Sequence, residues 1–214
     1  MEHTKDKTGL WLGEFTDPYF KFMDAGFKVQ TASPKGGKVP IDPMSTLTEN
    51  ITDSNRRFQK DVQAKENLDK SVKLEEVDHN TFDAVFYPGG HGPMWDLANN
   101  TKSAEIIIDF LSNNKPVAAV CHGPAALLKA AELRLGLLEG KRITAFTNTE
   151  EKLVFRSDNI PYFLEDRLVE LGVDFHSAAV PYFSHIEDEG LLITGQNPAS
   201  AGGVAKKLIL LLNN

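Results

Sequence analysis

Apolar runs alternate with amphipathic stretches through most of the chain. FKVQTAS (27–33), FDAVFYPGG (82–90), PVAAVC (116–121), RITAFT (142–147) and GLLITG (190–195) read as short strands. Several are apolar on both faces, the mark of strands buried in a parallel sheet. VDFHS (173–177) is a weaker candidate. Helical patterns fall between them, at SAEIIIDFLSNN (103–114), GPAALLKAAEL (123–133), PYFLEDRLVELG (161–172) and NPASAGGVAKKLILLL (197–212). Pro161 and Gly172 sit where a helix begins and ends, while Asn197 and Pro198 read as N-cap and first helical residue. Strand–helix alternation of this kind predicts a doubly wound α/β sheet.

Toward the N-terminus, TDPYFKFMDAG (16–26) reads as a helix capped by Asp17, with Pro18 in its first turn and Gly26 closing it. GLWLGEF (9–15) is then a separate turn or short helix. The polar segment 45–80 is expected to form an exposed helix or cap on one side of the sheet. There is no internal repeat, low-complexity tract or linker, so residues 1–214 are read as one domain. Doubly wound folds commonly open with a buried apolar strand, and nothing before Gly9 supplies one. Either the sheet is one strand short or the true start lies upstream of Met1; the second is the expectation.

Composition changes this picture little. The 214 residues are 41% hydrophobic and 25% charged, ordinary for a soluble globular chain and enough for a sizeable core. A net charge of −7 with no Lys/Arg-rich block argues against nucleic acid as a partner. The polar start MEHTKDKTG lacks a signal-peptide core, and no apolar stretch is long enough to span a bilayer. A single cysteine excludes an internal disulfide and fits a reducing, cytoplasmic setting.

That cysteine carries the candidate chemistry. In open parallel sheets ligands bind beyond the carboxyl ends of strands. Cys121 stands at such an end, where PVAAV stops and Gly123-Pro124 opens a helix. A nucleophile on a sharp strand-to-helix turn is lifted clear of the sheet, and the helix N-terminus should favour the thiolate. A lone cytosolic cysteine is more often a small buried hydrophobe, but here the context favours a reactive site. His122 could serve as a base only if the chain turns sharply; otherwise it is hydrogen-bonded behind the sheet. In YPGGHGPMWDL (87–97), Gly89 and Gly90 allow backbone N–H groups to face an oxyanion or simply make a tight turn. His91 either lines the pocket or caps that loop. Glu150 and Glu151 both fit capping boxes opened by Thr147 and Asn148. Glu14 lies among Leu10, Trp11, Leu12 and Phe15, where an acid is usually solvated. His3, His79, His176 and His185 show no metal-ligand spacing.

AAVCHGPAALL, with VFYPGGHGPMWDL upstream and LLITGQNPAS downstream, resembles the ThiJ/PfpI superfamily, whose fold is related to class I glutamine amidotransferases. GLWLGEF, ASPKGG, EGKRITAFTNTEE and TGQNPAS are similar to its branch of glutathione-independent glyoxalases (glyoxalase III) and stress chaperones. The resemblance runs from Thr8 to the C-terminus. It implies a flavodoxin-like three-layer α/β sandwich, a homodimer, and Cys121 as nucleophile on an elbow. It further implies His122 as the adjacent histidine, Glu14 as a buried acid bonded to the thiol, and Glu151, with Glu150 in play, as partner of His122. Gly90 and the His122 N–H would form the oxyanion hole. The implied reaction converts methylglyoxal or a similar 2-oxoaldehyde to a 2-hydroxy acid such as D-lactate through a Cys121 hemithioacetal, with no metal or organic cofactor. Rivals on the same resemblance are a deglycase, peptidase or amidase using that thiol, and a holding chaperone or thiol redox sensor.

Overall fold

The computed structural model describes residues 7–214; His3, with the rest of residues 1–6, lies outside the described residues. The strands are β1 (Ala32–Ser33), β2 (Val72–Lys73), β3 (Val85–Tyr87), β4 (Val117–Val120), β5 (Arg142–Ile143), β6 (Asp174–Phe175), β7 (Ile186–Glu189) and β8 (Leu192–Gly195). The helices are α1 (Leu12–Asp24), α2 (Asp53–Lys60), α3 (Val62–Asp69), α4 (Pro93–Asp96), α5 (Thr101–Ser112), α6 (Ala126–Leu133), α7 (Asn148–Leu153), α8 (Leu164–Glu170) and α9 (Ala201–Leu212).

The central sheet runs β3-β4-β8-β7, parallel except for the β7–β8 hairpin. In β4 every residue is buried. Val117 and Ala119 pack with α5 and α6, through Ile107, Phe110 and Leu127. Ala118 turns to the other face, against Ile193, Phe22 of α1, and Val204 and Leu208 of α9. This period-2 alternation makes the strand apolar on both faces and gives helix–sheet–helix layering, a flavodoxin-like α/β fold.

The remaining strands form two separate parallel pairs, β1-β2 and β5-β6. Among the described residues no strand precedes β1. Of the expected strand 27–33, only Ala32–Ser33 enters a ladder. β7 escapes a hydrophobicity reading because Ile-Glu-Asp-Glu alternates nothing apolar. It is an edge strand, tied to its neighbour by main-chain bonds.

Helix α1 corrects the expected break at Pro18. It starts at Leu12 and contains Pro18 in its interior, while Asp17 caps nothing and pairs with Lys21 at 2.9 Å. Pro18 cannot donate to the Glu14 carbonyl. Burial of Leu12, Phe15, Tyr19, Phe20 and Phe22 on one side of the helix outweighs that loss. Asn197 likewise provides no side-chain cap; a 3-10 turn, Pro198–Ser200, leads into α9. At the other termini the rule holds, with Asn100, Thr52 and Asp61 each accepting a main-chain N–H at a helix start. Helix α8 begins at Leu164, three residues after Pro161.

Candidate active site

Cys121 follows the last residue of β4 with φ +60°, a left-handed conformation that costs a non-glycine residue about 1–2 kcal/mol. The chain reverses there into the 3-10 turn Gly123–Ala125 and then α6. This strained turn brings adjacent side chains together, so Cys121 Sγ and His122 Nδ1 are 3.3 Å apart. Cys121 is at once the buried residue and the elbow residue, with 4% of its surface exposed.

From His122 the contacts continue. Its Nε2 is 2.8 Å from Glu151 Oε2, and the other oxygen of Glu151 is 2.8 Å from His91 Nε2. His91 therefore does not cap its own loop; it shares a carboxylate with His122, the two rings 4.1 Å apart. Glu151 can accept from both only if each histidine carries its proton on Nε2. That tautomer leaves His122 Nδ1 free to accept from the thiol. The three groups are also close enough to hold a metal ion, but the two Nε2–H bonds point protons, not lone pairs, at the shared space.

The two glutamates divide their work. Glu150 completes the capping box with Thr147, and its Oε1 accepts from the Tyr182 N–H at 2.8 Å and from Asn197 Nδ2 at 2.9 Å. Asn197, read in the sequence as an N-cap, thus serves as a strut between α7 and the loop before β7. Glu151, one residue on, points to the histidines instead.

Glu14 reaches the thiol from α1. Local context alone reads an acid in this apolar stretch as solvated, while the family resemblance implies a buried one; Glu14 is fully buried, and the Gly89 N–H donates to its Oε2 at 2.7 Å. Among the described residues its Oε1 has no hydrogen-bond partner of good geometry, and the carboxyl interacts with the Cys121 thiol. The loop makes this approach feasible only with glycine. A Cβ on Gly89 would lie 2.7 Å from His122 N, and one on Gly90, at φ +83°, would strike the Gly9 carbonyl. The Gly90 N–H faces the Cys121 sulfur.

Burial dominates the electrostatics. It raises Glu14 to about 8, against the lowering effect of the Gly89 N–H, so the acid is largely protonated at neutral pH. Burial, then the charge of Glu14, pushes the Cys121 thiol well up. This overturns the expectation that the helix N-terminus would favour a resting thiolate: in a buried site, desolvation outweighs a short 3-10 turn. Burial, with His91 and Arg156 alongside, lowers His122 to about 4, so it rests as a neutral base. Burial would raise Glu151, but hydrogen bonds from His122 and His91 outweigh it and hold the carboxylate at about 2.

Two residues had no sequence signal. Arg156 Nη1 donates to buried Asp42 at 2.7 Å and to His91 Nδ1 at 3.3 Å. Asp42 and Arg156 are 114 positions apart, and no spacing rule links them.

The sequence matches the model of the DJ-1/PfpI family over residues 9–210. It is 30% identical to the glutathione-independent glyoxalase HSP31 of Saccharomyces cerevisiae, over 97% of this chain and 91% of that protein. Among solved structures, it is similar to the Rapid Encystment Protein 24 KDa of Francisella tularensis, with TM-score 0.92 and 37% identity over 99% and 93% of the two chains. It is also similar to glyoxalase III from Candida albicans, with TM-score 0.88 and 26% identity over 96% and 89%. No described helix is long and apolar enough to cross a membrane.

Proposed function

From the premise that this chain belongs to the DJ-1/PfpI family, we propose that it is a glutathione-independent glyoxalase, converting methylglyoxal or a similar 2-oxoaldehyde to a 2-hydroxy acid. The observation that carries the reading is a buried thiol, Cys121, 3.3 Å from His122 Nδ1 and beside the buried acid Glu14, with burial raising Glu14 and lowering His122. Groups whose surroundings push their pKa values apart divide into acid and base.

His122 Nδ1 takes the thiol proton as sulfur adds to the aldehyde carbon, and the new oxyanion faces the Gly90 N–H. Return of that proton to the oxyanion leaves a neutral hemithioacetal and a free base. His122 then removes the hydrogen from the former aldehyde carbon while Glu14 gives its proton to the neighbouring carbonyl oxygen, forming an enediol. His122 returns its proton to the second carbon, and Glu14 regains one from the hydroxyl of the first. The product is a Cys121 thioester, which water cleaves to the 2-hydroxy acid and the free thiol. Every proton lent is recovered, and the sum is addition of one water to the oxoaldehyde. Glu151 holds His122 in the tautomer this requires. A small substrate suits a thiol this deeply buried, whereas a peptide would need an open cleft. The homodimer implied by the family resemblance, and the cytoplasmic setting read from the single cysteine, are part of this proposal.

The test is methylglyoxal consumption and D-lactate formation without glutathione, in wild type and Cys121→Ala. Equal rates in the two proteins would remove the enzymatic reading.

A further inference from the structure

We propose that Arg156, clamped by Asp42, is a positioning residue that fixes the His91 tautomer and thereby keeps Glu151 committed to His122. The inference rests on the glyoxalase reading only for its kinetic readout.

The local chain is shaped to deliver this guanidinium. Helix α7 ends at Leu153, and Phe155 then adopts a left-handed φ of +56° while remaining 89% exposed. Glycine is the residue that takes this conformation without strain. Here a phenylalanine accepts both the strain and the exposure, and the reversal turns Arg156 inward, its side chain only 11% exposed.

Asp42 makes the delivery rigid. It is fully buried; its Oδ2 accepts from Arg156 Nη1 at 2.7 Å and from Thr8 Oγ1 at 3.0 Å, while Oδ1 accepts from the Met44 N–H at 2.9 Å. With the guanidinium so held, one N–H is aimed at His91 Nδ1. Arginine has no acceptor atom and does not lose its proton, so this contact forms only when Nδ1 carries a lone pair. The His91 proton is thereby placed on Nε2, toward Glu151. Without Arg156, His91 can flip or shift its proton to Nδ1, and Glu151 then faces an Nε2 lone pair 2.8 Å away. The carboxylate would be driven off its bond to His122.

The charged and titratable groups around His122 are Cys121 on the elbow, Glu151 of α7, His91 after β3, and Arg156 beyond α7. Removing the Arg156 charge takes away a group that opposes protonation of His122.

The experiment is ¹⁵N NMR of the imidazoles on the full chain, in wild type, Arg156→Met and Arg156→Lys, with steady-state kinetics from pH 4 to 9. Wild type is expected to show His91 as the Nε2–H tautomer. Arg156→Met is expected to lose that single tautomer, to lower kcat by about 10- to 100-fold with KM within about twofold, and to displace the acid limb of kcat/KM. Arg156→Lys, which keeps the charge, should recover part of kcat and the acid limb. A wild-type Nδ1–H signature for His91 would overturn the proposal without any variant, so poor folding of Arg156→Met does not shield it. So would an Arg156→Met protein with unchanged tautomer and unchanged acid limb. Should the chain not turn over methylglyoxal, the NMR arm still decides the role of Arg156, while the glyoxalase reading alone fails.

Discussion

Cys121 Sγ and His122 Nδ1 are 3.3 Å apart although the two residues are neighbours in sequence. On a regular strand adjacent side chains point to opposite faces. The left-handed backbone at Cys121 removes that constraint, so the thiol–imidazole pair is formed by a turn and not by a distant partner.

The strain at this turn is separable from its chemistry. Cys121→Gly and Cys121→Ala are both expected to abolish turnover, but glycine relieves the φ of +60° and alanine does not. Thermal or urea unfolding should place Cys121→Gly above Cys121→Ala by about 1 kcal/mol. Equal stabilities would mean that the elbow stores no strain.

Glu150 and Glu151 should fail differently. Glu151→Gln keeps the shape but weakens the hold on His122, so kcat is expected to fall about 10²-fold or more with little change in unfolding midpoint. Glu150→Gln loses the carboxylate that joins Thr147, Tyr182 and Asn197, so stability should drop by about 1–3 kcal/mol. Parallel kinetic and unfolding measurements distinguish the two; the reverse pattern would exchange their roles.

The rate of the glyoxalase reaction should describe a bell in pH. The proposed mechanism requires neutral His122 and protonated Glu14, so kcat/KM is expected to rise through about 4 and fall through about 8. Glu14→Gln should lower kcat and abolish the alkaline limb. An alkaline limb retained in that variant would assign it to another group.

Glu14 also links stability to pH. Its carboxyl rises from 4.5 to about 8 on folding, so between those values the native state binds more protons than the unfolded chain. Its contribution is fully present below about 4.5 and is lost as pH climbs through about 8. Glu14→Gln, a permanent mimic of the protonated acid, should therefore gain on wild type as pH rises from 5 to 9, at up to about 1.4 kcal/mol per pH unit. A constant difference across that range would show that Glu14 is ionised already at low pH.

Much of this architecture could be read from the chain because burial on both faces writes an unmistakable signature. PVAAVC is apolar throughout and GLLITG is apolar but for Thr194, and they are the adjacent central strands β4 and β8. β7 was hidden since its edge position asks nothing apolar of Glu187, Asp188 or Glu189. Pro18 misled for a related reason: local propensity predicts a break, while the buried face of α1 decides otherwise. At the site, Cys121 was marked by its place at a strand end, and family resemblance pointed to Glu14 and Glu151. The Arg156–Asp42 clamp had no such marker, since long-range ion pairs are made by topology and leave no periodicity behind.

The division of the sheet into unconnected ladders has a consequence for how the molecule opens. Among the described residues, no strand-to-strand ladder joins the β1-β2 pair to the four strands that include β4. The pair can therefore melt without breaking a main-chain bond of the ladder beneath Cys121. Amide exchange in Ala32–Ser33 and Val72–Lys73 should be fast relative to Val117–Val120. The protein would then fray at one flank while Cys121 stays in the slowest-exchanging part of the molecule.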